Sequence, residues 1–181
     1  MKEPVFLDRD GVINENRSDY VKTPAEWVPI PGAISAMMQL QKAGFPIVIV
    51  TNQSGIGRGF YTKEKVEAIH QVMLAAFEAA DIRNVEILYC PHHPDDGCNC
   101  RKPEIGMIEI AREKFKLPPG GWMVGDADSD MELGRKAGLK TILVLTGRGK
   151  DQLDIIRKES REEPDFICSS LLSTVDIILT P

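Results

Sequence analysis

The sequence predicts an α/β protein built on a doubly wound, mostly parallel sheet. Three observations carry this. Short apolar, β-branched runs alternate along the chain with amphipathic helical stretches. The runs lack polar alternation, as strands covered on both faces do. They also end in acidic or hydroxyl residues, on the sheet edge where open parallel sheets bind ligands.

Taken in order, residues 5–7 form a buried strand that ends in Asp8. Residues 11–31 mix polar side chains with prolines and read as a loop or flap. Residues 33–43 carry Ile34, Met37, Met38 and Leu40 at helical spacing, and Gly44 stops the helix. Residues 46–50 are a second strand, ending in Thr51-Asn52. Thr62 can cap a helix that runs to about residue 80, with Val66, Ile69, Met73 and Phe77 on one face. Residues 85–89 are a third strand, followed by a cysteine-rich loop and a helix over 104–115. Pro118-Pro119-Gly120-Gly121 is a turn, and residues 122–125 are a fourth strand ending in Asp126. A short helix ends near Gly138, residues 141–145 are a fifth strand, and residues 165–168 a sixth. A last helix lies near 171–178, and the charge run 157–163 reads as a solvated helix face or loop. Trp27 and Trp122 are expected to pack, Cys168 to be a buried small hydrophobe, and His70 to be a partly exposed helix residue.

The length of 181 residues favours a single domain over 1–181, and 43% hydrophobic residues allow one sizeable core. The net charge of -5 argues against nucleic-acid and anionic-membrane binding, because nothing attracts the chain to a polyanion at long range. The first residues do not resemble an export signal, and the longest apolar runs are too short to span a bilayer. The expectation is a cytoplasmic protein. No long apolar stripe is left over, so a monomer is expected.

The strand ends carry the chemistry. Strand one ends in Asp8-Arg9-Asp10-Gly11, strand two in Thr51-Asn52-Gln53-Ser54-Gly55, and strand four in Gly125-Asp126 with Asp128 and Asp130 behind. Phosphoryl transfer needs a nucleophile, a proton donor, a metal and groups that bind phosphate charge. Asp8 and Asp10 both reach one site if the strand breaks at residue 9, which Gly11 permits. Asp126 can join Asp8 on magnesium, which takes few carboxylates. Any one of these aspartates could be only a turn former or a cap. The set, on successive strands, points to phosphate chemistry.

Phe6-Leu7-Asp8-Arg9-Asp10-Gly11-Val12-Ile13 resembles the first motif of the haloacid dehalogenase-like (HAD-like) phosphatases. Thr51 resembles their second motif, Lys102 their third, and Gly125-Asp126 with Asp130 their fourth. The resemblance implies a Rossmann-like fold and an aspartyl-phosphate formed on Asp8. It implies that Asp10 protonates the leaving group and then activates water. It assigns magnesium to Asp8, the backbone carbonyl of Asp10 and Asp126, with Asp130 supporting the metal shell. It gives Thr51 and Lys102 the transferring phosphoryl group. The stretch between the first two motifs leaves room for a flap but not for a large cap domain.

Cys90, His92 or His93, Cys98 and Cys100 offer three thiolates and an imidazole, the closed set of a structural zinc inserted as a loop. Disulfides are the poorer reading without an export signal, and free surface cysteines are the remaining alternative. Arg101 and Lys102 follow directly, so the loop would aim two cations at the site. The stretches Thr51-Asn52-Gln53-Ser54-Gly55-Ile56-Gly57-Arg58-Gly59, Cys90-Pro91-His92-His93-Pro94 and Cys100-Arg101-Lys102-Pro103 are also similar to the heptose-bisphosphate phosphatases within the family. That implies removal of the 7-phosphate of a heptose 1,7-bisphosphate, a small phosphorylated sugar. It makes Thr51, Asn52, Gln53, Arg58, Arg101 and Lys102 substrate contacts, Arg58 suiting a second phosphate. Histidinol-phosphate phosphatases share the zinc loop and stand as the alternative substrate class. A non-catalytic zinc- and phosphate-binding module is the alternative of another kind, but a binder needs neither Asp8 nor Asp10.

Overall fold

The computed structural model describes residues 2–180. Strands β1 (Val5–Leu7), β2 (Ile47–Asn52), β3 (Glu86–Cys90), β4 (Trp122–Gly125), β5 (Lys140–Val144) and β6 (Phe166–Cys168) form one sheet. Their order is β3-β2-β1-β4-β5-β6, with every neighbouring pair parallel. Six helices connect or follow them: α1 (Ala33–Lys42), α2 (Lys63–Ala79), α3 (Gly106–Phe115), α4 (Asp128–Lys136), α5 (Gly149–Lys158) and α6 (Val175–Leu179).

The strand period of two explains why both faces are apolar. Val5 and Leu7 of β1 join Ile47, Ile49 and Val124 on one face, where Met37 and Leu40 of α1, Ile69, Met73 and Phe77 of α2, and Ile178 of α6 cover them. Phe6 points the other way with Val48, Val50 and Met123, beneath Met107, Ile108 and Ala111 of α3 and Leu133 of α4. Met131 of α4, Leu143 of β5 and Leu153 and Ile156 of α5 extend that second layer outward. Each fully buried side chain of this kind contributes roughly 1.5–3 kcal/mol before chain entropy is charged against it.

The order of the sheet fixes the position of any site. The chain leaves β1 towards β2 and β3, then crosses to β4 on the other side. β1 and β4 are neighbours in register, Leu7 opposite Val124. The strand order reverses there, and the crevice beyond their carboxyl ends is the ligand position of such sheets.

The structure departs from expectation in four places. Residues 149–158, left unassigned by the sequence reading, form α5, and the charge run straddles its end. Helix α3 begins at Gly106, because 101–105 are spent on turns such as Glu104 N–H to Arg101 O at 2.8 Å. The final helix is split into a 3-10 turn, Leu172–Thr174, and the short α6. Thr62 sits at the start of α2 but its side chain makes no capping bond. The segment between β1 and α1 is a flap with one 3-10 turn, Pro24–Glu26, pinned where Asn14 bridges Pro29. Among the described residues no helix is long and apolar enough to cross a membrane.

Candidate active site

Asp8 is the first residue past β1, and its N–H still bonds Val124 O at 2.9 Å, so the carboxylate is set by the sheet itself. Asp126 is the first residue past β4, and Asp130 lies on the first turn of α4, where its carboxylate accepts from Ala127 N–H at 3.1 Å. All three are buried, and one oxygen of each lies within 4.8 Å of the others. Lys102 enters from the loop after β3. Its Nζ sits 2.7 Å from Asp8, 2.7 Å from Asp130 and 2.9 Å from Val50 O. Gly11 turns with φ +85 and Gly147 with φ +56, and their backbones press on the Asp126 carboxylate. A Cβ at either would collide with it, so both glycines are required by close approach as well as by φ.

Burial raises the proton affinity of Asp8, with Asp130 and Asp10 adding to it and Lys102 opposing it. Burial and Asp8 likewise push Asp126 up, against the pull of Arg148. Asp130 is raised by burial first, Lys102 offsetting it and Asp126 adding to it. Burial would lower Lys102, but Asp130 and Asp8 outweigh it and hold the ammonium charged. Three buried carboxylates thus face two cations, Lys102 and Arg148, the latter bonding Asp126 through its backbone N–H at 2.8 Å and its guanidinium at 3.2 Å. The deficit of positive charge and the all-oxygen donor set suit a hard divalent cation. The side chain of Asp10 stands outside this group.

Asp10 is held separately. Arg9, fully buried, reaches Oδ1 and Oδ2 with Nη2 at 3.0 and 2.8 Å. Asn14 Nδ2 donates to Oδ1 at 2.9 Å and Gln53 Nε2 to Oδ2 at 2.9 Å. Burial would raise this carboxyl, but Arg9 and the bonds from Asn14, Arg9 and Gln53 together bring it below the usual range. Gln53 also donates to Thr51 Oγ1 at 3.0 Å and accepts from Tyr61 OH at 2.9 Å. Asn52 bonds the Lys102 backbone in both directions, at 3.0 and 3.1 Å. Both amides expected to touch substrate line the cleft, and both also hold Asp10 or Lys102.

His70 corrects the sequence reading. It is buried, with Nε2 at 3.2 Å from Arg9 Nη1. The signal was present: position 70 lies on the stripe of Val66, Ile69, Met73 and Phe77, so a polar residue there needs a buried partner. Arg9, Asn14, Tyr61 and Arg148 were also missed as parts of the site. A charged residue locked between two strand-end aspartates was the clue for Arg9.

Beside these groups lies a cleft of about 400 Å³ whose walls include Asp8, Asp10, Thr51, Arg58, Arg101, Lys102 and Arg148, with Arg17 and Tyr20 of the flap. The cleft is rich in guanidinium groups, and the buried Nη1 of Arg101 has no protein acceptor. Such a surface fits a ligand with more than one anionic group.

The cysteine loop begins where β3 ends. Cys90 and Cys100 Sγ each lie 3.6 Å from Cys98 Sγ, and His92 Nδ1 lies 3.5 Å from Cys90 and 3.2 Å from Cys100. A tetrahedron with metal–sulfur bonds of about 2.3 Å has sulfur–sulfur edges of about 3.8 Å, so the donors are spaced to suit zinc. His93 is turned away: its Nδ1 accepts from Asp95 N–H at 3.3 Å and its own N–H bonds Asp96. Of the two histidines, only His92 joins the cluster.

One stability prediction follows from His70. Burial first, and Arg9 second, lower it from 6.5 to about 3. The unfolded chain therefore takes up a proton below pH 6.5 that the native state refuses until about pH 3. Stability is lost as pH falls through that window, on the order of 2 kcal/mol by pH 5. Urea unfolding at pH 7.5 and pH 5 should show a smaller acid loss in His70→Gln than in the wild type.

A family model described as HAD-hydrolase-like matches residues 99–174. The chain is 44% identical over 151 residues to the D-glycero-β-D-manno-heptose-1,7-bisphosphate 7-phosphatase of Pseudomonas putida, covering 83% of this chain and 86% of that protein. It is 35% identical over 176 residues to the enzyme of the same name from Bordetella bronchiseptica, covering 97% of each. The crystal structure of the D,D-heptose 1,7-bisphosphate phosphatase from B. bronchiseptica, complexed with magnesium and phosphate, superposes with a TM-score of 0.89 at 34% identity, covering 98% of both chains. With such identity sustained over nearly the full length of its relatives, the chain belongs to the heptose-bisphosphate phosphatase family of HAD-like hydrolases.

Proposed function

We propose that this chain removes the 7-phosphate of D-glycero-D-manno-heptose 1,7-bisphosphate, with magnesium, through a phosphoryl group carried on Asp8. The observation that carries the reading is the trio of buried carboxylates around Lys102 at the floor of an arginine-walled cleft. Asp8 is the one aspartate of the trio that is fixed by the sheet, lies against Lys102 and lines the cleft, which suits a nucleophile.

In this reading a carboxylate oxygen of Asp8 attacks phosphorus and the bond to the sugar oxygen breaks. Asp10, with 23% of its side chain open to the cleft, gives that oxygen a proton. The incoming phosphate charge raises the proton affinity of Asp10, which Arg9 and the bonds from Asn14 and Gln53 otherwise hold low. Water then attacks the phosphoryl group, Asp10 takes its proton, and the Asp8–phosphorus bond breaks. Lys102 and Thr51 hold phosphoryl oxygens throughout, while Asn52 fixes Lys102. Asp8, Asp126 and the backbone carbonyl of Asp10 would hold magnesium, with Asp130 in support. When bound, the ion supplies the positive charge that three carboxylates and the phosphate lack. Arg58 and Arg101 suit the distal phosphate, and the naming of the relatives supports the β anomer.

The direct test is kcat/KM with magnesium for both heptose bisphosphate anomers against histidinol phosphate. The β anomer should be preferred, and Asp8→Asn should lose at least about 10³-fold, as loss of a nucleophile does. A preference for histidinol phosphate would leave the chemistry and remove the substrate assignment.

We further read Cys90, His92, Cys98 and Cys100 as a structural zinc site, with no open position for catalysis. Elemental analysis of the purified chain should find about one zinc per chain. Cys98→Ser should lose it and melt earlier, and a metal-free wild type of unchanged melting temperature would contradict the reading. We also read residues 1–181 as one domain acting as a cytoplasmic monomer. Equilibrium sedimentation should return the chain mass of 20.1 kDa, and a stable dimer would overturn that part.

A further inference from the structure

We propose that Arg9 and His70 are positioning residues for Asp10, a buried pair that fixes where its carboxyl points during proton transfer. The inference rests on the reading of Asp10 as the general acid and base.

Arg9 is fully buried, and neither Arg9 nor His70 lines the cleft. Among the described residues, the side chain of Arg9 bonds Asp10 and His70, and through Asp10 the pair reaches the cleft. The guanidinium spends one edge on Asp10, Nη2 at 2.8 and 3.0 Å and Nε at 3.3 Å, and turns Nη1 to His70 Nε2 at 3.2 Å. An arginine has donors only, so His70 must accept at Nε2 and carry its proton on Nδ1. The ring is neutral and is seated edge-on against Tyr89, with centroids 5.4 Å apart. His70 is thus a backstop on α2 for a guanidinium that reaches from the end of β1. Without that acceptor, Arg9 would have a buried donor unpaired and could swing away from Asp10.

Stability alone is a weak reason for such an arrangement. Burying an ion pair costs desolvation that its attraction barely repays, and a well-packed apolar pair would serve the core as well. What the apolar pair could not do is orient a carboxyl that stays partly open to the cleft. Asn14 and Gln53 approach the same carboxylate from its other sides, so its plane is set by three side chains, Arg9 and Asn14 from the turn after β1 and Gln53 from the end of β2. Proton transfer is sensitive to such placement, because the donor must come within hydrogen-bond reach of the leaving oxygen.

The test separates positioning from folding by the leaving group. An alkyl phosphate expels a strongly basic oxygen and depends on the acid. A 4-nitrophenyl phosphate expels a weakly basic one and does not. The full chain with magnesium is assayed on heptose bisphosphate and on 4-nitrophenyl phosphate, as wild type, Asp10→Asn, His70→Leu, His70→Gln and Arg9→Lys. His70→Leu should lose about tenfold in kcat/KM on the sugar phosphate, with kcat/KM on the aryl phosphate within about twofold, because kcat/KM reports the steps up to loss of the leaving group and not the later base step that both substrates share, and acid catalysis as a whole supplies about 10²–10⁴. His70→Gln, which keeps an acceptor, should recover most of the loss. Arg9→Lys, which cannot span Asp10 and His70 together, should show the same selectivity, so the conclusion survives if His70→Leu does not fold. Equal losses on both substrates in His70→Leu and Arg9→Lys, or none in either, would overturn the inference. If the wild type hydrolyses both substrates but Asp10→Asn shows no leaving-group selectivity, the role of Asp10 falls, and the inference with it.

Discussion

The ammonium of Lys102 is the point on which the rest of the site depends. It lies between Asp8 and Asp130 at the buried floor of the cleft, and it is the tie between three segments far apart in sequence: the end of β1, the first turn of α4 and the loop after β3. Two carboxylates in that position without a cation would repel and take up protons. A lysine without them would shed its own. Lys102 stays charged because the two acids are present, and it in turn opposes the rise in their proton affinity, so the site is assembled as a unit. Its loop is held accordingly. The paired bonds from Asn52 fix the Lys102 backbone to β2, and the cysteine cluster ends two residues upstream.

Asp10 is governed by the opposite logic. Where Asp8 shares one cation with another acid, Asp10 is surrounded by donors from Arg9, Asn14 and Gln53. Two aspartates two residues apart therefore differ in proton affinity for reasons that are visible in the contacts: burial among acids for one, a ring of donors for the other. That is the reverse of what a nucleophile and a general acid need, and the charge of a metal ion on Asp8 and of a phosphate beside Asp10 would each shift the balance the other way.

Much of this was legible in the sequence. The strands announced themselves as β-branched runs, and whatever follows a parallel strand lies on the ligand edge, so Asp8, Asp126 and Thr51 could be placed together without coordinates. The cysteine spacing marked its loop equally well. What could not be read was partnership. Asn52 and Gln53 sit beside Thr51 and line the cleft, but that their amides also hold Lys102 and Asp10 depends on where those two residues arrive from. His70 pairs with a residue 61 positions away. The choice between His92 and His93 turned on a local turn, in which His93 caps the 3-10 segment that follows it. Helix α5 escaped because its buried side is narrow, with Leu153 and Ile156 set among charges.

The placement of β1 in the middle of the sheet has a consequence for how the chain acquires its shape. β1 is made before the other strands of its sheet, yet its two neighbours are β2 and β4, and Val5 meets Trp122 only after two further strands and three helices have been made. A nascent chain can pair β1 with β2 and β3 and cover one face with α1 and α2, but the far edge of β1 stays open until β4 emerges. Closing so long a loop costs entropy that only β4 and its helices repay. The cysteine loop, by contrast, is complete soon after β3 and needs no distant partner. During synthesis, then, the peripheral anchor can be set first, and the catalytic crevice is among the last features to come into being.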